Sequence, residues 1–206
     1  MMEVVDKMSS MRTASSKEII YFPDQPSDKI FFLKEGKIKL SRIGSDGREL
    51  TLAIIGPGEV FGELAAFGES QREDMAVALE PSLICAMDIG DFNKLIMKNP
   101  NFILRITKRI GFRRKRVEQF LESLVFKDAP QRVAIFLLSY QEEFGRDRVV
   151  GRYIKPFLSN EEVGYLTATS RQTVNKVLND FRREGIIDFT RNTLTISNLE
   201  KLKEKA

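Results

Sequence analysis

The chain has 206 residues, 42% hydrophobic and 30% charged, the profile of a folded protein long enough for one large core or two smaller ones. It carries no histidine and a single cysteine, Cys85. That removes the usual general base, the Ser/His and Cys/His dyads, an internal disulfide, a CxxC zinc site and a cysteine-ligated iron-sulfur cluster, so neither a catalytic nor a metal site is expected.

No run approaches the ~18 apolar residues of a membrane helix, and the start lacks a basic segment followed by an apolar one, so a cytoplasmic protein is expected. The net charge of +4 hides a split. Residues 1–98 carry 12 Lys/Arg against 16 Asp/Glu, net −4, while 99–206 carry 21 against 13, net +8. Such asymmetry points to an acidic module joined to one that approaches a polyanion, nucleic acid first and an anionic membrane second. Two ordinary domains with scattered surface charge are the plainer alternative.

From Glu18 to Asp88 the pattern is short alternating runs punctuated by glycine and proline. Ile30–Leu33, Lys37–Ile43 and Glu49–Ile55 read as strands, with Lys34-Glu35-Gly36 and Gly44-Ser45-Asp46-Gly47 as hairpin turns and Gly56-Pro57-Gly58 as a further break. The apolar run Ala76–Met87 reads as another strand, and the spacing suggests an antiparallel β-barrel or jelly roll. Asp91–Ile96 reads as a short helix closed before Pro100. A long helix follows, in which Ile103, Ile106, Ile110, Arg113, Val117, Phe120 and Leu124 alternate in spacings of three and four, the stripe of a coiled-coil seam. A helix packing on its own domain would show the same stripe. The cluster Arg113-Arg114-Lys115-Arg116 reads as a solvated face. Asp128-Ala129-Pro130 marks a boundary, a helix with Val133 and Ile135–Leu138 follows, and Gly145–Lys155 reads as loop or short strand.

The segment Leu158–Phe181 carries the most information. Ser159 with Glu162 and Thr169 with Gln172 form two capping-box patterns, predicting short helices from about 160 and 170 separated by Leu166-Thr167-Ala168, the helix-turn-helix spacing. In the second helix Val174, Val177, Leu178 and Phe181 make a buried face. The opposite face carries Arg171, Gln172, Asn175, Lys176 and Asn179, side chains suited to base edges: Arg and Lys to guanine, Gln and Asn in bidentate fashion to adenine. Thr173 is a further candidate for phosphate or base. Beyond Gly185, two alternating runs around Arg191-Asn192-Thr193 predict a wing whose Arg191 can reach phosphate.

Taken in order, the turn-rich barrel, the segment Phe61-Gly62-Glu63-Leu64 leading to Arg72, the seam helix and the helix-turn-helix resemble the CRP/FNR family of bacterial transcription regulators, from about 18 to 196. Its strongest parts are Gly56-Pro57-Gly58-Glu59-Val60-Phe61-Gly62-Glu63, Asn99-Pro100 and Ser170-Arg171-Gln172-Thr173-Val174. The resemblance implies an α+β chain with a cyclic-nucleotide-binding-like sensor barrel over 1–98, a dimerisation helix over 99–127 and a winged helix-turn-helix over 128–206. It implies a homodimer joined through Ile103, Ile106, Ile110, Val117, Phe120 and Leu124, acting on a two-fold-related site in double-stranded DNA, with RNA polymerase as a further partner.

In cyclic-nucleotide-binding members, backbone amides and an arginine hold the cyclic phosphate and a glutamate takes the ribose hydroxyl. Gly62, Glu63, Leu64 and Arg72 match that cassette, with a loop one residue shorter, and Glu73 beside it with Arg113 and Val117 of the long helix complete the implied effector set. Glu73 and Asp74 stand where the pattern has a hydroxyl, however, and Val117 and Glu118 where the adenine-facing hydroxyl pair falls. Carboxylates beside a phosphate repel it, which argues against cyclic AMP. The iron-sulfur and haem sensing modes lack their ligands, and Cys85 reads as a small buried hydrophobe. An unidentified effector in the barrel, or a regulator active without one, is what the residues leave. The alternative function is a regulatory subunit of cyclic-nucleotide type whose winged helix binds a protein.

Overall fold

The structure, a computed structural model, describes residues 9–45, 47, 49–147 and 151–206. Asp46 of the expected hairpin turn and 148–150 of the expected loop lie outside the described residues. The chain divides into two compact units, Met1–Lys115 and Arg116–Ala206.

Among the described residues the first unit contains eight strands: β1 (Ser10–Ala14), β2 (Ile19–Tyr21), β3 (Lys29–Glu35), β4 (Ile38–Ile43), β5 (Glu49–Ile55), β6 (Val60–Phe61), β7 (Met75–Ala78) and β8 (Ser82–Asp88). They form two four-stranded antiparallel sheets, β1-β8-β3-β6 and β2-β7-β4-β5, the double-sheet form of the expected barrel or jelly roll. The run read as one strand from Ala76 to Met87 is two strands in different sheets. Pro81 lies in the bend between them, where the ladder has no use for an N–H that proline cannot supply.

Strand alternation explains why the centre of β3, Ile30–Leu33, is an unbroken apolar run. Phe31 and Leu33 join a core drawn from every strand of both sheets, with Tyr21, Ile38, Leu40, Ile55, Phe61 and Ile84. Ile30 and Phe32 point the other way and pack with Cys85, Met87, Phe92, Leu95 and Phe102. A strand buried on both faces loses the polar half of its pattern. Cys85 is fully buried in that second core.

Two helices follow β8. The first, α1 (Ile89–Lys98), ends at Asn99, which the following proline pushes out of helical geometry. The second, α2 (Pro100–Phe126), is 27 residues long. The basic cluster on α2 does not form one solvated face: Arg113 turns to Glu63 and Val60, and Arg116 pairs with Glu143 at 2.6 Å.

The second unit contains α3 (Ala129–Phe144), β9 (Arg146–Asp147), β10 (Arg152–Ile154), α4 (Asn160–Thr167), α5 (Arg171–Arg183), β11 (Ile187–Phe189), β12 (Leu194–Ile196) and α6 (Leu199–Glu204), with sheet order β11-β12-β10-β9. The long helix ends at Phe126 and the next begins at Ala129, whereas the compact units part at 115/116; Ala129 and Pro130 lie inside the first turn of α3, where a missing N–H costs nothing. Asp128 and Gln131 form a full capping box there. The closing helix α6, which the sequence pattern does not announce, is held by the fully buried Leu202.

Candidate nucleic-acid interface and sensor pocket

The helix-turn-helix is assembled from its caps. Ser159 and Glu162 make the expected capping box at the start of α4. At the start of α5 the N-cap is Ser170, one residue later than expected: its Oγ accepts from Thr173 N at 3.0 Å and shares a hydrogen bond with Thr173 Oγ1 at 2.9 Å. Two overlapping Ser/Thr frames compete here, and the turn decides between them. Ala168 adopts φ 48°, ψ 51° and closes α4, while Thr169 N returns to Gly164 O at 2.9 Å, so Thr169 is spent in the turn. Gly164 is needed at that crossing, because a Cβ there would stand 2.7 Å from Thr169 O.

Arg132 of α3 closes the same turn from beneath, donating to Thr167 O at 2.8 Å, Ala168 O at 3.1 Å and Lys127 O at 2.7 Å. Carbonyls left unpaired at a helix end are thereby satisfied by charge-assisted bonds. Nothing local marks Arg132 for this role, since its two partners in the turn lie 35 and 36 positions away.

Val174, Val177, Leu178 and Phe181 are buried as the spacing predicts, and Arg171, Gln172, Asn175, Lys176 and Asn179 are exposed on the opposite face. Among the described residues Arg171, Gln172 and Lys176 have no hydrogen-bond or ion-pair partner. The shifted cap matters here, because Gln172 is released from a capping role. Thr173 is half-buried and tied to Ser170, whereas Asn175 meets Asn160 and Asn179. Gly185, at φ 70°, stops α5 while Ile186 N reaches back to Phe181 O at 2.9 Å. The hairpin β11–β12 closes through Thr190 N to Thr193 O at 2.9 Å and leaves Arg191 exposed at its tip.

In the first unit the structure brings together Gly62, Glu63, Arg72 and Arg113. Glu63 opens a short 3-10 turn, Glu63–Phe67, behind Gly62, which adopts φ 66°. Arg113 bonds Glu63 Oε1 at 3.0 Å and Val60 O at 2.6 Å. Arg72, only 3% exposed, donates to Gly62 O at 3.0 Å and to Lys29 O, lies 3.6 Å from Glu69 Oε2, and stacks 4.6 Å from the Tyr21 ring centroid. A Cβ on Gly62 would come within 2.8 Å of this guanidinium.

The remaining members of the expected set stand apart. Leu64 and Val117 are half exposed, and Glu73 turns outward to Arg42 at 2.8 Å. Asp74 is partly buried instead: burial raises its pKa, and burial together with the Asp74 charge pushes the Tyr21 hydroxyl up as well. On α2, Ile103, Val117 and Leu124 are 40%, 50% and 40% exposed, and with the half-buried Ile110 they recur every seven residues. Ile106 packs against its own unit's second core, and Phe120 is half-buried.

Residues 11–99 match the family model for the cyclic nucleotide-binding domain and 131–205 that for the Crp-like helix-turn-helix domain. Over 187 residues the chain is 32% identical to the CRP-like cAMP-activated global transcriptional regulator of Mycobacterium tuberculosis, covering 91% of this chain and 84% of that protein. This chain belongs to the CRP/FNR family. As a CRP/FNR regulator it is also 28% identical over 198 residues to the global nitrogen regulator of Synechocystis, covering 95% and 88% of the two chains. A mutant CooA from Carboxydothermus hydrogenoformans superposes at TM-score 0.79 with 30% identity, over 98% of this chain and 89% of that one. Among the described residues no helix is long and apolar enough to cross a membrane.

Proposed function

We propose that this CRP/FNR chain regulates transcription as a homodimer that lays α5 of each copy into the major groove of a two-fold-related operator. The carrying observation is the exposed face of α5, where Arg171, Gln172 and Lys176 have no partner within the protein's described residues and so keep their full hydrogen-bonding capacity for base edges. Asn175 lies beside them, Thr173 borders the phosphate backbone at the helix start, and Arg191 on the wing tip meets a phosphate. The segments 1–98, 99–127 and 128–206 serve as sensor, dimer helix and DNA-binding part. Ile103, Ile110, Val117 and Leu124 support the dimer: three exposed apolar residues and the half-buried Ile110, at a seven-residue repeat, form a seam that a second copy of α2 can cover.

The reading includes activity without cyclic AMP. Arg72, the residue the resemblance gives to a cyclic phosphate, already bonds Gly62 O and Lys29 O and faces Glu69. Glu63 is likewise held by Arg113. A phosphate arriving here would have to break these bonds in a site already rich in carboxylates, so the residues present do not fit that ligand. The second reading comes from the relative named as cAMP-activated: Arg72 would exchange its carbonyl partners for the phosphate.

Binding-site selection from random duplex DNA, run with and without cyclic AMP, separates the two. The expected outcome is one palindromic consensus with equal affinity in both arms. Enrichment only in the presence of cyclic AMP would favour the second reading, and no enrichment in either arm would remove the regulator function.

A further inference from the structure

Three asparagines of the helix-turn-helix form a hydrogen-bonded group whose polarity can be worked out. Asn179 Nδ2 donates to the backbone carbonyl of Asn175 at 2.8 Å and stands 3.4 Å from Asn175 Oδ1. Asn160 Nδ2, at the first position of α4, donates to the same Oδ1 at 3.2 Å. Side-chain amides are ordinarily ambiguous by a flip of N and O, but a backbone carbonyl can only accept. Asn179 must therefore turn its –NH2 toward Asn175, and that –NH2 requires oxygen, not nitrogen, opposite it. Flipping Asn175 would set donor against donor. Both acceptor positions of Oδ1 are then occupied, while among the described residues Asn175 Nδ2 has no partner.

We propose that Asn175 is a donor-only base reader, with Asn160 and Asn179 as the positioning residues that make it so. This rests on the reading of α5 as a recognition helix. A free asparagine reads adenine by donating to N7 and accepting from N6. Asn175 has lost the accepting half of that pair, so it selects the base edges that offer acceptors alone in the major groove, guanine N7/O6 and thymine O4. Adenine and cytosine each present an exocyclic amine that Asn175 cannot satisfy. Gln172, with no partner among the described residues, keeps the adenine role on the same face.

The test is binding-site selection with the full chain as wild type, as Asn175→Ala and as the double variant Asn160→Ala/Asn179→Ala. The expected result is a half-site position that favours guanine or thymine in the wild type and loses its preference in Asn175→Ala. At that position the double variant raises the share of adenine about fivefold, the worth of one restored hydrogen bond. The proposal is overturned if the wild type selects adenine or cytosine there, if Asn175→Ala changes no position, or if the double variant keeps the wild-type preference. Should the double variant melt early, Asn179→Ala alone carries the same expectation. A wild-type pool with no enriched sequence is a different failure, because it removes the regulator reading itself.

Discussion

Arg72 and Asp74 are two residues apart and face opposite constraints. The guanidinium is buried but fully engaged by carbonyls, a carboxylate and an aromatic ring, the condition under which a buried charge is tolerated. Asp74 is partly buried with its pKa raised by desolvation, so the folded chain binds this proton more readily than the unfolded one. Stability from this group is therefore lost as the pH rises through the carboxylate range and regained as it falls. Asp74→Asn should raise the melting temperature near neutral pH, with the difference from wild type shrinking as the solution is acidified. A difference that does not change with pH would sink the assignment. At the other end of the chain, Arg171→Ala or Lys176→Ala should relax base preference at one position at a cost of about 1–3 kcal/mol, read by competition among single-base variants of the selected duplex. An equal loss for every sequence would reassign the residue to phosphate. Residue types and faces were legible for α5 because a 3.6-residue period needs only local sequence. The partners of Arg72 were not, since Lys29 O lies 43 positions away and no spacing rule reaches it.

Elements were legible where the turn chemistry is local. The glycines of 44–47 mark the hairpin from β4 to β5, and Ser159 with Glu162 marks α4; the break Lys34-Glu35-Gly36, expected as a hairpin turn, instead carries the chain from one sheet to the other, since β3 pairs with β6 and β8 and never with β4. Reading failed where two frames competed, as with Thr169 and Ser170, and where an element is very short: β6 has two residues and β2 three, too few to show alternation. The turn between α4 and α5 carries two predictions. Ala168 holds a left-handed conformation that costs an L-residue about 1 kcal/mol, so Ala168→Gly should raise stability by roughly that amount in chemical denaturation. Arg132→Met should lower it by about 2 kcal/mol, because it strips three carbonyls of a charged donor while keeping the stem's packing. An unchanged denaturation midpoint for Arg132→Met would mean that the turn holds without it.

On the scale of the whole molecule, a modest net +4 conceals a first part at net −4 and a second at net +8, and only the second carries the helix-turn-helix. The long helix supplies the dimer argument in a sharper form than its stripe suggests: Ile106 belongs to its own unit's core, whereas Ile103, Ile110, Val117 and Leu124 form the repeat available to a second copy. Val117→Asp should therefore shift the chain toward monomer in light scattering at micromolar concentration without unfolding it, and a wild-type monomer under the same conditions would contradict the dimer. The central claim is sequence-specific DNA recognition by α5, and it is tested most directly by the affinity ratio between the selected duplex and a scrambled one at fixed salt with no small molecule added. The account predicts a ratio of about a thousandfold or more, and a ratio near one would contradict it.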